Sequence, residues 1–507
     1  MIALGYDYGT TNSLIVRFNR DITSNSIRNS RRSERMPDGQ SPKRLLNDRH
    51  ADSPEIIARI EDFSKSMFGE VRDYLPDEKV VVTLTIPNTF RDVQCLQMRD
   101  AVARACCDPN VFGTNICSRD LHILPEPIAA ALYYVYLAHD SVVSDKERYL
   151  VVYDVGGGTS DFAVIGYKIR NNSGGQKEIS FSVKCTTGEL VLGGDDFDKV
   201  VAEYMGQYLE CNKGVCMTSE IDHAVHRDCE AVKCCVAARD YVHDLYLDDD
   251  AVCESLRLSR KVFENKMKNS GKYKLFKESA EQLRHAFEKK LAEAGVSFES
   301  ALSSTVILPV GGSSKIPLLQ ETMQNVFEGC YVIDEDEFGE SARFESVSRG
   351  AAIYSAWKAG MLNDIADIQI EERVLHRISY MWGNNLLHTC VEKNFPSGVY
   401  SIDLRPSGLQ ERADGSFVIG QVHFYEGEGD VVDQSDASYL RNEHLRTLAE
   451  ELGALNDPIY LNGRKLSDII VKMNLNIVGG RLHAVDFVVP KGRRDGSDYY
   501  SGSISIQ

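Results

Sequence analysis

Apolar and polar residues follow each other along this chain in a pattern that predicts two similar strand–turn–strand units. In the first unit, residues 1–18, two apolar runs flank a polar turn. The second unit begins at Tyr149 and follows the same plan around a glycine-rich turn. An aspartate, Asp7 or Asp154, leads into each turn, which is typical of β-hairpins. Because the hairpins are far apart in the chain, the sequence predicts two related lobes that face each other across a cleft.

Between and after the hairpins, strand patterns alternate with helical periodicity. Short apolar runs typical of buried strands occupy residues 79–87, 122–125 and 306–310. Apolar residues at helical spacing occupy residues 92–107, 127–137, 274–294 and 317–327. This alternation predicts an α/β core.

The pattern changes near Trp357, after which short strands lie between glycine, proline and asparagine turns. These strand patterns cover residues 398–404, 416–425, 468–478 and 481–489. They predict an all-β module of roughly 110–130 residues. An acidic interruption at residues 430–455 contains a helical pattern at 440–452, and the residues from Arg493 onward have the composition of a polar tail.

Charge and composition narrow the function classes. The chain has 507 residues and a net charge of −18, so generic coating of nucleic acid is disfavoured, although small polyanions can still bind locally. It has no run of about eighteen apolar residues and no basic, apolar N-terminal leader, so we expect neither a membrane span nor a secretory signal. Its thirteen cysteines lack zinc-site spacing and indicate reduced thiols in the cytoplasm, with redox sensing or metal binding as the alternative.

An arginine-rich segment at residues 17–35 allows two interpretations. Six arginines lie there among serine and asparagine residues. We predict a solvated loop, with a binding site for an anionic partner as the alternative.

The residues of the turns indicate phosphate chemistry. Glycine and threonine turns supply backbone N–H groups and hydroxyls that can approach a phosphate closely. Asp7 and Asp154 are suited to hold the waters of a Mg²⁺ ion that accompanies phosphate. A third glycine-rich element, Gly311–Lys315, leads into a helix and offers another anion or adenosine contact. The chain has no GxxxxGK[ST] motif, so it is not a P-loop ATPase.

Seven motifs, in this order, resemble those of the seventy-kilodalton heat-shock chaperones, within the actin-like ATPase superfamily, over nearly the whole chain. They are GYDYGTTNS at Gly5, LPEPIAAALYY at Leu124, VYDVGGGTSDF at Val152, VLGGDDFDKVV at Val191, LPVGGSSKIPLLQ at Leu308, SRGAAIYSA at Ser348 and ADGSFVIGQVHFYEGEG at Ala413. The resemblance implies an α/β actin-like, two-lobed ATPase domain followed by an all-β sandwich. It implies a nucleotide-binding domain at residues 1–360, an interdomain linker at 361–376 and a polypeptide-binding β-sandwich without a helical lid at 377–507.

The resemblance also implies roles for individual residues. Asp7 and Asp154 would hold Mg²⁺ through water, Glu126 would orient or deprotonate the attacking water, and Asp161 would add negative charge nearby. Thr11 and Thr159 would act in catalysis as well as in binding. The implied phosphate-binding set is Gly9, Thr10, Thr11, Asn12, Gly156, Gly157, Gly158, Thr159, Gly193 and Gly194. The implied nucleoside-binding set is Glu230, Lys233, Gly311, Gly312, Ser313 and Lys315.

The chain departs from the family pattern at several of these positions. The segment before Lys43 is shortened, so Lys43 is either the catalytic, phosphate-contacting lysine or a solvated loop lysine. Cys95 stands where the family has an arginine, Lys315 replaces a stacking arginine, and Phe344 replaces an aspartate.

Three functions remain open from the sequence. The first is an ATP-dependent chaperone that binds ATP or ADP with Mg²⁺, and K⁺ as a further candidate ion, hydrolyses ATP slowly, and modulates polypeptide binding by closing its lobes. A J-domain co-chaperone and a nucleotide-exchange factor are its implied partners. The second is a nucleotide-gated module that binds one dedicated protein partner with little or no turnover. An actin-like scaffold or a small-molecule kinase is disfavoured by the LGGDDFD segment and by the C-terminal β module.

Overall fold

The structure is a computed structural model that describes residues 1–20, 28–36, 41–46, 53–90, 92–117, 120–138, 143–171, 175, 177–189, 192–247, 252–333, 341–363, 366–371, 377–382, 387–391, 398–405, 408–420, 422–427, 445–449, 457–478, 481–501 and 504–505. The chain forms two compact units, Met1–Gln369 and Ile370–Gln507. Among the described residues, no helix is both long and apolar enough to span a bilayer. All thirteen cysteines are described, and none forms a disulfide.

The first unit combines helices with two sheets. Its helices α1 to α11 are Pro42–Leu45, Pro54–Arg72, Asp92–Cys107, Glu126–Ala138, Gly194–Tyr208, Ser219–Ala238, Arg260–Asn269, Gly271–Glu293, Phe298–Ala301, Pro317–Val326 and Ala342–Lys358. Its strands β1 to β13 are Ile2–Asp7, Asn12–Arg17, Arg28–Arg32, Val80–Ile86, Leu121–Pro125, Ser144–Val155, Ser160–Asn171, Lys177–Glu189, Tyr241–Tyr246, Val252–Leu258, Thr305–Val310, Tyr331–Val332 and Ala366–Glu371. The predicted α/β alternation is confirmed in this unit.

The first sheet has five strands in the order β3-β2-β1-β4-β5. β1 and β2 pair antiparallel with Asp7 opposite Leu14, so the first predicted hairpin is confirmed. β4 runs parallel to β1, and β5 runs parallel to β4. Because parallel strands end at the same edge of a sheet, Asp7 at the end of β1 and Glu126 directly after β5 come to one edge.

The second sheet has six strands in the order β12-β11-β6-β7-β8-β13. β6 and β7 form the second predicted hairpin, with Asp154 opposite Asp161. β11 runs parallel to β6 with Val310 opposite Asp154, so Gly311 follows at the same edge. Each sheet therefore presents a glycine-rich turn and at least one carboxylate at one edge.

Helix α11 fixes the separation of the two sheets because it contacts both. A Cβ at Gly5 of β1 would lie 2.0 Å from the carbonyl oxygen of Ser348 in α11, so only glycine allows this approach. A Cβ at Gly350 of α11 would lie 1.7 Å from the carbonyl oxygen of Ala129 in α4. At its N-terminal end, α11 accepts a 2.9 Å hydrogen bond from the Gly311 N–H at the carbonyl of Arg343.

The prediction of a solvated loop at residues 17–35 is wrong for its second half. Residues 28–32 form β3, which pairs antiparallel with β2 and brings Arg32 opposite Asn12. Residues 21–27 lie outside the described residues. The strand escapes prediction because its sequence, RNSRR, has no apolar alternation.

The second unit consists mainly of strands in its described residues. Strands β14 to β24 are Ile378–Trp382, Leu387–Val391, Gly398–Leu404, Gln410–Glu411, Phe417–Val418, Val422–Gly427, Leu445–Ala449, Val471–Val478, Arg481–Val489, Tyr499–Tyr500 and Ile504–Ser505. They form a sheet in the order β15-β14-β19-β20, a sheet in the order β16-β21-β22-β23 in which β24 also pairs with β22, and the pair β17-β18. Buried side chains from both larger sheets share one apolar cluster. The sandwich arrangement itself stays a prediction.

Three expectations for the C-terminal region are corrected. The polar tail is wrong because β23 and β24 pair with β22, and the Tyr499 ring is fully buried. The strand predicted at 416–425 is split into β18 and β19, with Gly420 at φ 71° between them. Within the helical pattern at 440–452, residues 445–449 form a strand, and the flanking residues lie outside the described ones. Of the predicted linker 361–376, residues 364–365 and 372–376 also lie outside them, and the rest contains β13.

Candidate functional site

A cavity of about 430 Å³ lies in the first unit, at the edges where both sheets end in glycine-rich turns. Most of the residues predicted from the sequence line it. They are Asp7, Gly9, Thr10, Thr11, Asn12, Lys43, Glu126, Asp154, Gly156, Gly157, Thr159, Gly194, Glu230, Lys233, Gly311, Gly312, Ser313 and Lys315. The three others, Gly158, Asp161 and Gly193, do not line the cavity but contact or face residues that do.

The turns of the two hairpins touch each other. A Cβ at Gly157 would lie 1.8 Å from the Thr11 hydroxyl oxygen, and a Cβ at Gly158 would lie 2.5 Å from the Thr10 methyl group. Any larger residue at Gly157 or Gly158 would push the turns apart. The distant hairpins of the sequence are therefore brought into direct contact at one wall of the cavity.

The N-terminal end of α5 is attached to the second turn. The Gly194 N–H donates to the Gly156 carbonyl at 2.9 Å, and the Asp195 N–H donates to the Gly157 carbonyl at 2.7 Å. A Cβ at Gly193 would lie 2.5 Å from the same Gly157 carbonyl oxygen. Because Gly193 and Gly194 have no side chains, the backbone at the start of α5 can approach the turn at Gly156 and Gly157 closely.

Lys43 and Glu126 form a buried ion pair on the cavity wall. Lys43 Nζ donates to Glu126 Oε1 at 2.7 Å, and the two residues are 2% and 6% exposed. Burial lowers the pKa of Lys43, but the carboxylates of Glu126 and Asp7 outweigh burial and raise it overall. This burial excludes the alternative that Lys43 is a solvated loop lysine.

Three aspartates surround this ion pair and are hard to ionise. Burial raises the pKa of Asp7 to about 6, with Lys43 opposing the rise and Glu126 adding to it. Burial and the Glu126 carboxylate raise the pKa of Asp161 to about 7. Burial and the neighbouring carboxylates also raise the pKa of Asp154 well above its usual range. Four carboxyl groups lie around one ammonium group, so ionising all of them together is unfavourable unless a further cation binds beside them.

This donor set fits Mg²⁺ held largely through water. Carboxylate oxygens are the ligands that Mg²⁺ prefers in proteins, and the ion keeps several of its waters. Among the described residues, no group of three His, Cys, Asp or Glu side chains is arranged to bind a metal ion directly. Asp7 and Asp154, which both line the cavity, are the residues that would hold the waters of the ion.

Three arginines connect the segment after the first hairpin with helices α5 and α6. Their partners are acidic residues on the opposite side of the cavity: Arg32 pairs with Glu230 at 2.7 Å, Arg35 with Asp195 at 2.8 Å, and Arg44 with Asp196 at 3.2 Å. Arg35 Nη2 also lies 3.4 Å from the Thr11 hydroxyl. We call Arg32, Arg35 and Arg44 the cross-cleft arginines.

Two lysines on the cavity lining have partners of their own. Lys233 Nζ pairs with Asp198 at 2.7 Å and donates to the Gly194 carbonyl at 3.1 Å. The Lys315 ammonium lies 5.0 Å from the centre of the Phe344 ring, within cation–π range. The lining also includes apolar or weakly polar residues: Cys234, Ala237, Ala238, Ile316, Pro317 and Val347.

In this α/β unit, glycine-rich hairpin turns from two sheets therefore meet beside buried carboxylates. A family model described as "Hsp70 protein" matches residues 47–395, more than half of the chain. The chain therefore belongs to the Hsp70 family. The matched range does not include the first hairpin or Lys43, so the family match gives no information about those residues.

Curated relatives agree with this family. The chain is 29% identical over 321 residues to a chaperone protein DnaK of Anaplasma marginale (strain St. Maries), covering 61% of this chain and 42% of the relative. It is 27% identical over 390 residues to a chaperone protein HscA of Yersinia enterocolitica, covering 76% and 53%. It is 28% identical over 385 residues to a chaperone protein DnaK of Stenotrophomonas maltophilia (strain R551-3), covering 74% and 52%. The chain spans about half the length of the curated relatives it matches.

The sequence did not indicate the role of several charged residues at the site. The sequence does not reveal the ion pairs of the cross-cleft arginines, because their acidic partners are distant in the chain. Asp195 and Asp198 lie in the DDFD part of the LGGDDFD motif, but only its glycines were predicted to bind. One signal in the sequence could have indicated these ion pairs. The acidic residues that follow Gly193 and Gly194 have opposite charge to the arginine-rich segment at residues 17–35.

Proposed function

We propose that the protein binds Mg²⁺-ATP in this cavity and hydrolyses it slowly, as an ATP-dependent chaperone. The observation that carries the proposal is the contact of the two hairpin turns on the wall of a cavity that Asp7, Glu126, Asp154 and Lys43 also line. Membership of the Hsp70 family supports the same activity. In this proposal residues 1–360 form the nucleotide-binding domain, residues 361–376 the linker, and residues 377–507 a β-sandwich that binds polypeptide.

The proposed roles follow from the position of each group. Backbone N–H groups and hydroxyls of the two turns would bind the β- and γ-phosphates, because glycine allows close approach there. Lys43 would neutralise charge that develops on the transferred phosphoryl group. Mg²⁺, when bound through Asp7 and Asp154, supplies further charge neutralisation at the phosphates.

Hydrolysis also needs a group that handles the proton of water. A water oxygen forms a bond to the γ-phosphorus while the bond from that phosphorus to the bridging oxygen breaks. Glu126 would orient this water and accept its proton. Closing the two lobes on the γ-phosphate would then change how firmly the C-terminal domain holds its polypeptide.

A second function is favoured by one feature of the same site. Glu126 is engaged by Lys43 at 2.7 Å, and a carboxylate held in a buried ion pair is a poorer proton acceptor. The protein would then bind ATP as a gate for one dedicated partner, with little turnover. In either case we propose a polypeptide partner, a J-domain co-chaperone and a nucleotide-exchange factor in the cytoplasm, with K⁺ as a further candidate ion.

Single-turnover hydrolysis of Mg²⁺-ATP distinguishes these functions. The full chain is compared with Thr159→Ala, Lys43→Ala and the exposed-lysine control Lys274→Ala. Cleavage by the wild type and the control, with binding but no cleavage by the other two, supports the ATPase. Tight binding of ATP without cleavage by the wild type supports the gated module. If the wild type binds no ATP, both proposals are wrong.

The polypeptide-binding part needs a separate experiment. Dissociation of a fluorescein-labelled, apolar heptapeptide is measured from the full chain in excess Mg²⁺-ATP and in excess Mg²⁺-ADP. A chaperone should release the peptide faster with ATP. A dedicated binder should fail to hold this generic peptide in either state.

A further inference from the structure

One arginine contacts both a residue of the first hairpin turn and a residue of α5. Arg35 donates to the two carboxylate oxygens of Asp195, at 2.8 and 3.3 Å. The same guanidinium donates to the hydroxyl oxygen of Thr11 at 3.4 Å. Asp195 and Thr11 both line the cavity, so Arg35 is one residue away from the proposed phosphate site.

The carboxylate of Asp195 is unfavourable for phosphate binding unless a positive charge neutralises it. The Asp195 N–H donates to the Gly157 carbonyl at 2.7 Å, which fixes this residue beside the second glycine-rich turn. Phosphates bound at the turns would therefore lie close to another negative charge, and like charges repel. The N–H groups of residues 194–197 at the start of α5 do not offset this charge, because all of them donate to backbone carbonyls.

The Thr11 hydroxyl has a single proton to donate, and two acceptors compete for it. One acceptor is Asp195 Oδ1, which lies 3.5 Å away, and the other would be a phosphate oxygen in the cavity. Arg35 favours the phosphate because it already donates to that carboxylate and to the hydroxyl oxygen. Without Arg35, the bare Asp195 carboxylate would attract the Thr11 proton and repel the phosphate.

We propose that Arg35 is a positioning residue for phosphate binding. It neutralises the Asp195 carboxylate, so that the Thr11 hydroxyl donates its proton to a phosphate oxygen of the nucleotide instead. Arg35 acts through these two residues and needs no contact of its own with the ligand. This inference rests on the proposed binding of nucleotide in the cavity, which it extends to a residue outside the cavity lining.

A purely structural role of the ion pair predicts a different pattern of binding. If Arg35 and Asp195 served only to hold the two sides of the cavity together, losing either partner would weaken binding. Losing both partners would then be no better than losing one. In the proposed role, the carboxylate itself harms binding once Arg35 is absent, so removing the carboxylate as well should restore affinity.

Calorimetric titration of the full chain with Mg²⁺-ADP distinguishes these roles. Arg35→Ala should weaken ADP binding by about tenfold, the effect of losing one hydrogen bond to a charged group. Adding Asp195→Asn to this variant should return the affinity to within about threefold of the wild type. Asp195→Asn alone should bind ADP at least as tightly as the wild type, because it removes the repelling charge and keeps Arg35.

A matched control and a second comparison complete the experiment. The side chain of Arg72 is 29% exposed, as is that of Arg35, and it pairs with Asp77 outside the cavity lining. Arg72→Ala should therefore leave the ADP affinity unchanged. Thr11→Val keeps the shape of the side chain but removes the proton. In a Thr11→Val chain, Arg35→Ala should weaken ADP binding by less than about threefold.

Several results overturn the inference while leaving the proposed function in place. They are an Arg35→Ala variant that binds ADP like the wild type, a double variant with Asp195→Asn that binds no better than Arg35→Ala, and a loss that is equally large with and without Thr11→Val. Urea unfolding shows whether Arg35→Ala is folded. If it is not, Asp195→Asn alone decides, and weaker binding than the wild type rejects the inference. A wild type that binds neither Mg²⁺-ADP nor Mg²⁺-ATP rejects nucleotide binding itself.

Discussion

Replacing Asp7 with asparagine should stabilise the nucleotide-free protein and weaken its affinity for Mg²⁺-nucleotide. Burial at the end of β1 raises the pKa of Asp7 from 3.8 to about 6, with Lys43 opposing and Glu126 adding to the rise. A raised pKa means that the folded protein holds the proton more tightly than the unfolded chain does. The stabilisation from this proton is complete below pH 3.8 and is lost as the pH rises to about 6.

The size of the effect follows from the shift. A shift of about two pH units corresponds to up to about 3 kcal/mol of destabilisation by the ionised carboxylate at pH 8. At pH 4.5 the folded protein keeps the proton, and the penalty falls to about 1 kcal/mol. Asparagine has no charge at either pH, and its amide oxygen can still accept the 3.2 Å hydrogen bond from the Thr85 hydroxyl. We expect Asp7→Asn to raise the free energy of unfolding by about 2–3 kcal/mol at pH 8 and about 1 kcal/mol at pH 4.5.

Urea unfolding with EDTA present measures this difference in the first unit alone. The chain has two tryptophans, so in a Trp382→Phe background the fluorescence of Trp357 reports only the first unit. The exposed Asp100 of α3 provides the control variant Asp100→Asn, which should change stability by less than about 0.5 kcal/mol. The reasoning is refuted if Asp7→Asn lowers stability at pH 8, or if its effect is the same at both pH values.

Four further changes test other parts of the structure. Lys43→Met should cost about 3–5 kcal/mol of stability because it leaves the Glu126 carboxylate buried and unpaired, and adding Glu126→Gln should recover most of that loss in the same urea assay. Gly157→Ala should abolish ATP binding in calorimetry, since the added methyl would meet the Thr11 hydroxyl at 1.8 Å, and Thr11→Ala in the same chain should restore part of it. Tyr499→Ala should destabilise the second unit by about 3–5 kcal/mol, read from Trp382 in a Trp357→Phe background, whereas a true polar tail would show no loss. Arg32→Ala should speed the release of a fluorescent ADP analogue, measured by stopped flow, while the free energy of unfolding changes by less than about 0.5 kcal/mol. An unchanged release rate would contradict a role of Arg32 at the cavity rim.

The hairpins were predictable because their signal is local. A tight turn between apolar runs needs glycine or a small polar residue within a few positions, so the residues from Asp7 to Asn12 and from Asp154 to Thr159 are recognisable by themselves. The same holds for α3, whose predicted and observed bounds agree at residues 92–107. The presence of two similar hairpins, each led by an aspartate, also predicts that Asp7 and Asp154 come together at one site.

The features that were missed depend on partners far away in the sequence. β3 has no apolar face of its own and is stabilised by its pairing with β2. Its residue Arg32 also pairs with Glu230, which is 198 positions away in the sequence. Tyr499 lies among polar residues in the sequence, but the pairing of β23 with β22 brings its ring into the apolar cluster of the second unit. Tertiary contacts of this kind override local composition, and no pattern within one segment reveals them.

The cross-cleft arginines also differ among themselves in a way that bears on how the cavity opens. The side chains of Arg32 and Glu230 are 69% and 41% exposed, those of Arg35 and Asp195 are 29% and 19%, and those of Arg44 and Asp196 are 16% and 1%. An exposed ion pair contributes at most about 1 kcal/mol, whereas separating a buried carboxylate from its partner costs several kcal/mol. Because Arg32–Glu230 is the most exposed pair, whereas Asp196 in the first turn of α5 is held by Arg44, Lys199 and Lys272, we expect opening to cost least beside Glu230. A nucleotide would therefore leave past Arg32 while the contacts around Asp196 persist, and salt should speed that release because it screens the exposed pair most.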